Sequence, residues 1–283
     1  MLSELTGEEL YAEMIMQRTN DVRSFLVVEG DGDIAIFDRY LAQDRFTVIP
    51  ANGKKTAHDA LRMAFDDNFS GIYSILDRDW LDLIPGGLQD RRIVHTDKYD
   101  LDACIFFLPG VYVSLASSFC VRGGYRAGGA GCSETEIREA CLRMAFPVGA
   151  LRYISERDKL LLRMRDFPLH EVVDRASLAV DLDLLIATAV GRSKKAAVDP
   201  QSIKEKLKAE IAEITDIAKY CSGHDVARAF SILAKERWSA TISVDNVERT
   251  ARAAVSWERF QALSTYSDSA QWFGGKPEMI WIG

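Results

Sequence analysis

Acidic side chains recur directly after short apolar runs in the first third of the chain. Glu29 follows residues 25–28, and Asp77 and Asp79 follow residues 72–76. Residues i and i+2 of an extended backbone point to the same side, so Asp77 and Asp79 are predicted to share one cation. Carboxylate oxygens are the hard ligands that Mg²⁺ and Mn²⁺ prefer. The spacing therefore favours a metal site, because carboxylates this close repel each other unless a cation neutralises them.

A third acidic pair, Asp100 and Asp102, lies beyond the fourth predicted strand. Taken singly, D-x-D and E-G are also typical of ordinary loops, so neither motif alone identifies a metal site. Their joint placement after the first and third strands favours the metal-site interpretation over the loop interpretation.

The elements that would position these acids alternate between strand and helix. Continuous apolar runs predict strands that are buried on both faces, and apolar residues at helical spacing fill the intervals. This order predicts an α/β fold with a parallel sheet and right-handed crossovers, in which ligands gather at the carboxyl ends of the strands. The predicted strands cover residues 25–28, 46–49, 72–76 and 91–95, and a leading helix covers residues 7–20.

The pattern after residue 110 is mainly helical. It begins with a glycine-rich stretch at residues 123–131, which we interpret as a connector rather than a phosphate cradle. Helices are predicted near residues 134–145, 149–165, 200–219, 224–236 and 244–262. The predicted organisation is an N-terminal helix (1–21), an α/β core (22–109), a mainly helical insertion (110–214) and C-terminal helical elements that complete the core (215–283).

Composition narrows the class of protein. A hydrophobic fraction of 48% excludes disorder as the main state. Five cysteines without a C-x-x-C motif or a signal peptide favour a reduced, cytoplasmic protein, and no apolar run approaches the length of a membrane span. The net charge of −7 argues against sequence-blind coating of nucleic acid. It does not argue against cleavage, because a bound Mg²⁺ would reverse the local sign where a phosphate approaches.

Basic and imidazole side chains near the acids have competing interpretations. The Asn52–Thr56 turn is not a Walker A loop, because Val48 and Lys55 stand where glycine and Ser or Thr are required. Lys54 is either a ligand of a scissile phosphate or a solvated turn lysine. Arg78 is expected to pair with its flanking aspartates rather than with phosphate. We interpret His58 as a surface residue, and Trp238, Trp257, Trp272 and Trp281 as core or interface anchors rather than base-stacking platforms.

Three segments of the first third together resemble a TOPRIM domain, the module shared by topoisomerases, DnaG-type primases and OLD-family nucleases. They are Phe25–Gly30, the Asn52–Lys54 turn and Ile75–Asp79, and the resemblance spans about residues 22–105. Downstream, Tyr99–Asp102 resembles an acidic element of the OLD-like branch, which usually has Glu where Asp102 stands. Cys221–Asp225 resembles a Gly-Lys/His-Asp element of the same branch. The combination most resembles the AriB-type effector subunits of PARIS anti-phage systems.

This resemblance implies a Mg²⁺-dependent endonuclease that acts as a toxic effector. By analogy Glu29, Asp77 and Asp79 bind the metal, Asp102 helps to hold a second ion, and Glu29 acts as general base or acid. His224 would replace a catalytic lysine of the family, although capping of a helix by Asp225 is an alternative explanation of the His-Asp pair.

The resemblance also implies partners. The effector is held inactive by an ABC/AAA-type ATPase, is released when infection is sensed, is a homodimer when active and cleaves tRNA; Lys54 and Arg78 are its expected substrate contacts. One alternative is an OLD-like DNA nuclease or repair enzyme. Another is a non-catalytic TOPRIM-like scaffold that binds the ATPase. The residues themselves do not separate RNA from DNA.

Overall fold

The computed structural model describes residues 5–84, 87–120, 133–193 and 199–283. The glycine-rich stretch at 123–131 lies outside the described residues. Contacts divide the chain into two compact units, one formed by residues 1–97 with 255–283 and the other by residues 98–254. The C-terminal segment that joins the first unit therefore begins at residue 255, and residues 215–254 belong to the second unit.

The first unit contains a four-stranded, all-parallel sheet in the order β2-β1-β3-β4. The α/β class and the four predicted strands are confirmed, with boundaries that differ by no more than two residues. The strands are β1 (Ser24–Val28), β2 (Phe46–Pro50), β3 (Ile72–Leu76) and β4 (Ile93–His95). The helices before and between them are α1 (Gly7–Arg18), α2 (Asp31–Tyr40) and α3 (Lys54–Asp66).

Helices α1 and α3 pack together within the core of this unit. Thr6 and Glu9 form a capping box that fixes the start of α1, and Leu10 and Met14 on its inner face are buried. Helix α3 contributes mainly small side chains to this core. Gly7 permits the close approach, because a Cβ there would lie 2.5 Å from the Cβ of Asp59. Small residues at this crossing therefore let α1 and α3 approach each other closely.

The C-terminal segment packs on α2 through aromatic rings. Trp281 is 2% exposed, and its indole Nε1 donates to Ser269 Oγ at 2.8 Å. The ring of Phe260 lies 4.6 Å from that of Tyr40 and 5.0 Å from that of Trp281. Trp281 is thereby confirmed as a core anchor. The helices of this segment are α11 (Trp257–Gln261) and α12 (Ser264–Ser269).

The second unit is helical, as predicted. The expected break between residues 145 and 149 is wrong, because one helix runs through Pro147. Gly149 serves packing there, since a Cβ would lie 2.0 Å from the carbonyl oxygen of Tyr220. Conversely, the single helix expected at 244–262 is two. The helices of this unit are α4 (Leu101–Phe107), α5 (Val111–Phe119), α6 (Glu134–Arg157), α7 (Leu182–Gly191), α8 (Pro200–Glu213), α9 (Gly223–Trp238) and α10 (Val244–Ala253).

Helices α4 and α5 form a bent apolar pair. Gly110, with φ of 79°, caps the start of α5 in the left-handed region. The two helices diverge by 87°. Across the described ranges no single helix is long and apolar enough to cross a membrane, and only this bent pair passes the length and composition test when its members are taken together.

Candidate active site at the carboxyl edge of the sheet

The strand order creates a crevice between the carboxyl ends of β1 and β3. The chain leaves β1 towards β2 on one side and leaves β3 towards β4 on the other. Such a switch point is where open parallel sheets bind ligands. Glu29 follows β1 and Asp77 follows β3, and the backbone N–H of Asp77 donates to Glu29 Oε1 at 3.1 Å. The fold therefore brings the first two predicted acids together across this crevice.

Asp79 enters the site through a turn rather than through an extension of β3. Its φ is 45°, in the left-handed region, so the premise that Asp77 and Asp79 share a side of an extended backbone is wrong. Directly after Asp79, Trp80 is buried and its carbonyl accepts from the N–H groups of Leu83 and Ile84, both at 2.8 Å. The carboxylate of Asp79 forms an ion pair with Lys54.

The Asn52–Gly53 turn places Lys54 opposite Asp79. Both turn residues have positive φ, 55° and 134°, which Asn and Gly tolerate best. The N–H of Gly53 donates to the backbone carbonyl of Glu29 at 2.8 Å, which ties the turn to the end of β1. Lys54 is thus neither a simply solvated lysine nor free for phosphate in this structure, because it neutralises one member of the acid cluster.

The electrostatics of Glu29 set it apart from ordinary carboxylates. Burial, and next the negative charge of Asp79, raise its pKa from 4.5 to about 8, while Lys54 opposes the shift. A divalent cation would favour the ionised form of Glu29 and compensate the charge of Asp79. This electrostatic condition is typical of sites built for a cation or for proton transfer.

The donor chemistry of Glu29, Asp77 and Asp79 fits Mg²⁺, because all three present hard oxygens. However, their carboxylates do not converge on one position in this structure. Among the described residues, no group of three or more His, Cys, Asp or Glu side chains is placed to hold one ion. In this structure the carboxylate of Asp79 is instead paired with Lys54.

Two histidines lie in the same electrostatic neighbourhood and were not predicted to do so. His58 of α3 is half-buried, not a surface residue as expected; burial and the charge of Lys54 lower its pKa, and Asp79 opposes this. Burial lowers the pKa of His95, the last residue of β4, to about 4. Both rings are therefore neutral at pH 7. The available signals were the four-residue spacing from Lys54 and the strand-terminal position of His95.

Arg78 does not pair with its flanking aspartates, which corrects the sequence expectation. Its Nε donates to Asp82 Oδ2 at 2.8 Å, and its Nη1 donates to the backbone carbonyl of Thr96 at 3.3 Å. The hydroxyl of Thr96 in turn accepts from the N–H of Arg78 at 3.0 Å. Arg78 thus links the acidic turn to Thr96, the residue that follows β4. Its contact with substrate stays a prediction.

The remaining predicted site residues, Asp102 and His224, lie in the second unit, and each contacts a side chain of opposite chemical type. Arg252 forms a bidentate ion pair with Asp102, in which Nε donates to Oδ1 at 2.7 Å and Nη2 donates to Oδ2. His224 Nδ1 is bonded to Glu248 Oε1, and its Nε2 lies 3.4 Å from Asp166 Oδ1. The hydrogen bond to Glu248 raises the pKa of His224. Sequence reasoning missed Glu248 and Arg252, which carry no local motif.

The alternative role of Asp225 as a helix cap is wrong, because Ser222 caps α9. Asp225 is 1% exposed and forms an ion pair with Arg152. The N–H of Gly223 donates to both carboxylate oxygens of Asp100 at 3.0 Å, and a Cβ on Gly223 would lie 2.3 Å from the Cβ of Asp102. The two motif segments of the second unit, 99–102 and 221–225, are therefore packed directly on each other.

Comparisons with known proteins leave the family of this chain open. No protein-family model matches the sequence, and no curated protein matches it significantly. The structure shows an α/β fold with a four-stranded parallel sheet, which is consistent with the predicted class. The resemblance to TOPRIM nucleases rests on the motif residues quoted above.

Proposed function

We propose that this chain is a metal-dependent phosphodiester hydrolase of the TOPRIM type, with its active site at the carboxyl edge of the sheet. The observation that carries the proposal is the hydrogen bond from Asp77 to Glu29 across the switch point, with Asp79 beside it. The motif residues that resemble the TOPRIM domain are the same ones that line this crevice.

The chemistry assigned to each side chain follows from its surroundings. Glu29, Asp77 and Asp79 would hold one or two Mg²⁺ ions, which when bound supply water activation and charge stabilisation at the leaving oxygen. With a pKa near neutrality, Glu29 is suited to exchange a proton with the reacting groups. Lys54, once released from Asp79, is placed to contact a substrate phosphate.

The biological role that we propose is a toxic effector of anti-phage defence in the cytoplasm. In this role an ABC/AAA-type ATPase holds the chain inactive, infection releases it as an active homodimer, and tRNA is the favoured substrate. The support is the resemblance of residues 99–102 and 221–225 to the OLD-like branch, and of the whole combination to AriB-type effectors.

The direct test offers tRNA and supercoiled plasmid in parallel to the purified chain with Mg²⁺, Mn²⁺ or EDTA. We expect metal-dependent cleavage of tRNA that Glu29→Gln and Asp77→Asn abolish. Asp44→Asn is the matched control, because Asp44 is an exposed acid of the same unit. Cleavage of plasmid alone would establish the DNA nuclease alternative, and cleavage of neither substrate would refute hydrolysis.

A non-catalytic scaffold is the second candidate, and one observation favours it. Lys54 already neutralises Asp79, and within the described part of the chain no set of three ligands is preassembled. The discriminating experiment expresses the chain with and without a neighbouring ATPase gene and sequences cellular RNA ends. Toxicity that persists in Glu29→Ala and Asp77→Ala, without new RNA ends, would favour the scaffold.

A further inference from the structure

The start of α9 lies beside a group of charged side chains in the second unit. We call this group the α9 cluster; it consists of Arg152 from α6, Asp166 from the segment after α6, and His224, Asp225 and Arg228 from α9. Each member contacts another through a nitrogen and a carboxylate oxygen that are no more than 3.7 Å apart. The charge of the cluster is therefore balanced by all five side chains together.

Arg228 makes few contacts for a largely buried guanidinium. Its Nη2 donates to Asp166 Oδ1 at 3.1 Å, and across the described ranges it has no other hydrogen-bond acceptor. Its Nη1 lies 3.7 Å from Asp225 Oδ1, which is too far for a hydrogen bond. The other oxygen of Asp225 is already paired with Arg152. Two guanidinium groups thus share one buried carboxylate, and Asp166 supplies the second negative charge.

Asp166 reaches the α9 cluster from the solvent side. Its side chain is 67% exposed, and its φ of 52° lies in the left-handed region. Its Oδ1 contacts both Nη2 of Arg228 and Nε2 of His224, the latter at 3.4 Å. Because this carboxylate is open to solvent, a dissolved anion can reach the position that it occupies. An ion pair with an exposed partner also contributes little to stability, so the carboxylate can be replaced there.

Glu248 determines which nitrogen of His224 faces this position. Nδ1 is bonded to Glu248 Oε1, whereas Nε2 is directed to Asp166 and has no hydrogen-bond partner within the described part of the chain. His224 is also the second residue of α9, where the helix dipole favours an anion. A guanidinium and an imidazole therefore converge on one carboxylate oxygen, and this pair of groups also suits an oxygen of a phosphate.

We propose that Arg228 and His224 form a phosphate-binding site in the second unit, which the carboxylate of Asp166 occupies in this structure. The Asp166 carboxylate stands in for a phosphate oxygen and competes with phosphate for the two basic groups. The phosphate belongs either to the backbone of a nucleic-acid strand or to a small phosphorylated molecule. This proposal does not depend on the proposed function, because it concerns binding in the second unit and not cleavage at the sheet.

The test follows the imidazole of His224 while inorganic phosphate is added. We would label the four histidines of the full-length chain with ¹⁵N and record NMR spectra at constant pH and ionic strength. The loss of one signal in His224→Gln identifies the ring. We expect Asp166→Asn to bind phosphate about tenfold more tightly than the wild type, because the competing charge is removed. Asparagine also tolerates the left-handed backbone at this position.

Two further variants show whether the gain in affinity belongs to this site. Arg228→Gln, added to Asp166→Asn, should abolish the gain because a phosphate ligand is lost. Asp183→Asn is the matched control and should leave phosphate affinity unchanged. Asp183 is 71% exposed and pairs with the mostly buried Lys204 of the same unit, as Asp166 pairs with Arg228.

Three results would overturn the site. They are equal phosphate affinity in the wild type and Asp166→Asn, a gain that survives Arg228→Gln, and an equal gain in Asp183→Asn. Because Asp166 is exposed, its variant tests the site even where Arg228→Gln disturbs folding.

Competition then identifies the source of the phosphate. An unstructured oligonucleotide without terminal phosphates is added to the Asp166→Asn chain, which also carries Glu29→Gln to prevent cleavage. Displacement of inorganic phosphate from His224 assigns the site to the backbone of a strand, and displacement only by a nucleoside monophosphate assigns it to a small molecule. Neither readout requires cleavage, so a chain that cleaves nothing can still confirm this site, and a hydrolase that binds no phosphate here would refute it alone.

Discussion

The largely buried carboxylates of the two units differ in whether a cationic side chain balances their charge. We call the arginine-paired acids Asp102 and Asp225 the matched region, and Glu29 with Asp79 the mismatched region. In the helical unit, Asp225 is paired with Arg152 and Asp102 with Arg252. At the edge of the sheet, Lys54 neutralises Asp79, yet burial and Asp79 still raise the pKa of Glu29 to about 8. A buried acid that is matched by an arginine stabilises the fold only while its partner is present. A buried acid that is left poorly matched costs stability, and such a cost is typical of a functional site.

The largest expected effect comes from breaking the matched region. Asp225→Asn keeps the shape of the side chain but leaves Arg152 without its counter-charge in a site where Asp225 is 1% exposed. We expect a loss of about 3–5 kcal/mol in the free energy of unfolding, because an uncompensated buried charge remains. Urea unfolding followed by circular dichroism measures this loss.

The matched control for this change is Asp245→Asn. Asp245 also pairs with an arginine, Arg249, but both side chains are mostly exposed. Its loss should be within about 0.5 kcal/mol of zero. Equal losses in the two variants would contradict the assignment of Asp225 to a structural role.

The second prediction concerns the mismatched region and its pH dependence. The pKa of Glu29 is 4.5 in its ordinary state and about 8 in the folded chain, so the folded chain binds the proton more tightly. Raising the pH from 4.5 to about 8 in EDTA therefore lowers the free energy of unfolding. Glu29→Gln should remove this slope and exceed the wild type by about 2 kcal/mol at pH 8, after allowance for solvent screening.

The measurement is urea unfolding of both chains across this pH window without metal. Asp44→Asn should keep the wild-type slope, since Asp44 lies on the surface. The raised pKa of Glu29 would be contradicted if the unfolding free energy of Glu29→Gln depended on pH as strongly as that of the wild type. It would also be contradicted if Glu29→Gln were less stable than the wild type at pH 8.

A third change sharpens the comparison by removing Lys54, the cation that pairs with Asp79. Lys54→Gln should destabilise the metal-free chain by about 1 kcal/mol at neutral pH, because Lys54 is partly exposed and its pair is screened. Added Mg²⁺ should restore more stability to Lys54→Gln than to the wild type, since the ion no longer competes with an ammonium group. Thermal unfolding with and without Mg²⁺ measures both effects.

Lys55→Gln is the control for this change, because Lys55 is 91% exposed and pairs with Asp59 outside the acid cluster. It should show neither the loss nor the additional response to Mg²⁺. A response to Mg²⁺ that is the same in all three chains would remove Asp79 from the metal site.

The sequence predicted the sheet well because continuous apolar runs and their order determine a parallel fold. It also predicted that Glu29 and Asp77 would meet, since carboxyl ends of adjacent parallel strands share an edge. It did not predict the left-handed backbone of Asp79, because the D-x-D spacing alone does not distinguish a turn from an extended strand. The premise of a shared extended face failed for that reason.

Long-range pairing was the other limit. Arg252 lies 150 residues from Asp102 along the chain, and no local sequence pattern predicts their contact. Similarly, the sequence did not reveal the ion pair of Asp225 with Arg152, because that pair depends on how α6 packs on α9. Motif spacing therefore located the acids, whereas tertiary packing decided which of them are neutralised.

The smallest expected effect tests whether His224 belongs to the matched region or to a catalytic site. Its hydrogen bond with Glu248 raises its pKa above 6.5, so it adds stability that is complete below pH 6.5 and is lost as the pH rises through the folded value. Because the side chain is 42% exposed, His224→Gln should cost only about 0.5 kcal/mol at pH 6 and less at pH 8. Chemical unfolding at these two pH values measures the difference, with exposed His170→Gln as the control. Metal-dependent cleavage then separates the two roles. If His224→Gln abolishes cleavage while costing only this small amount of stability, His224 serves the reaction. If the variant keeps full cleavage, His224 is a structural residue like Asp225.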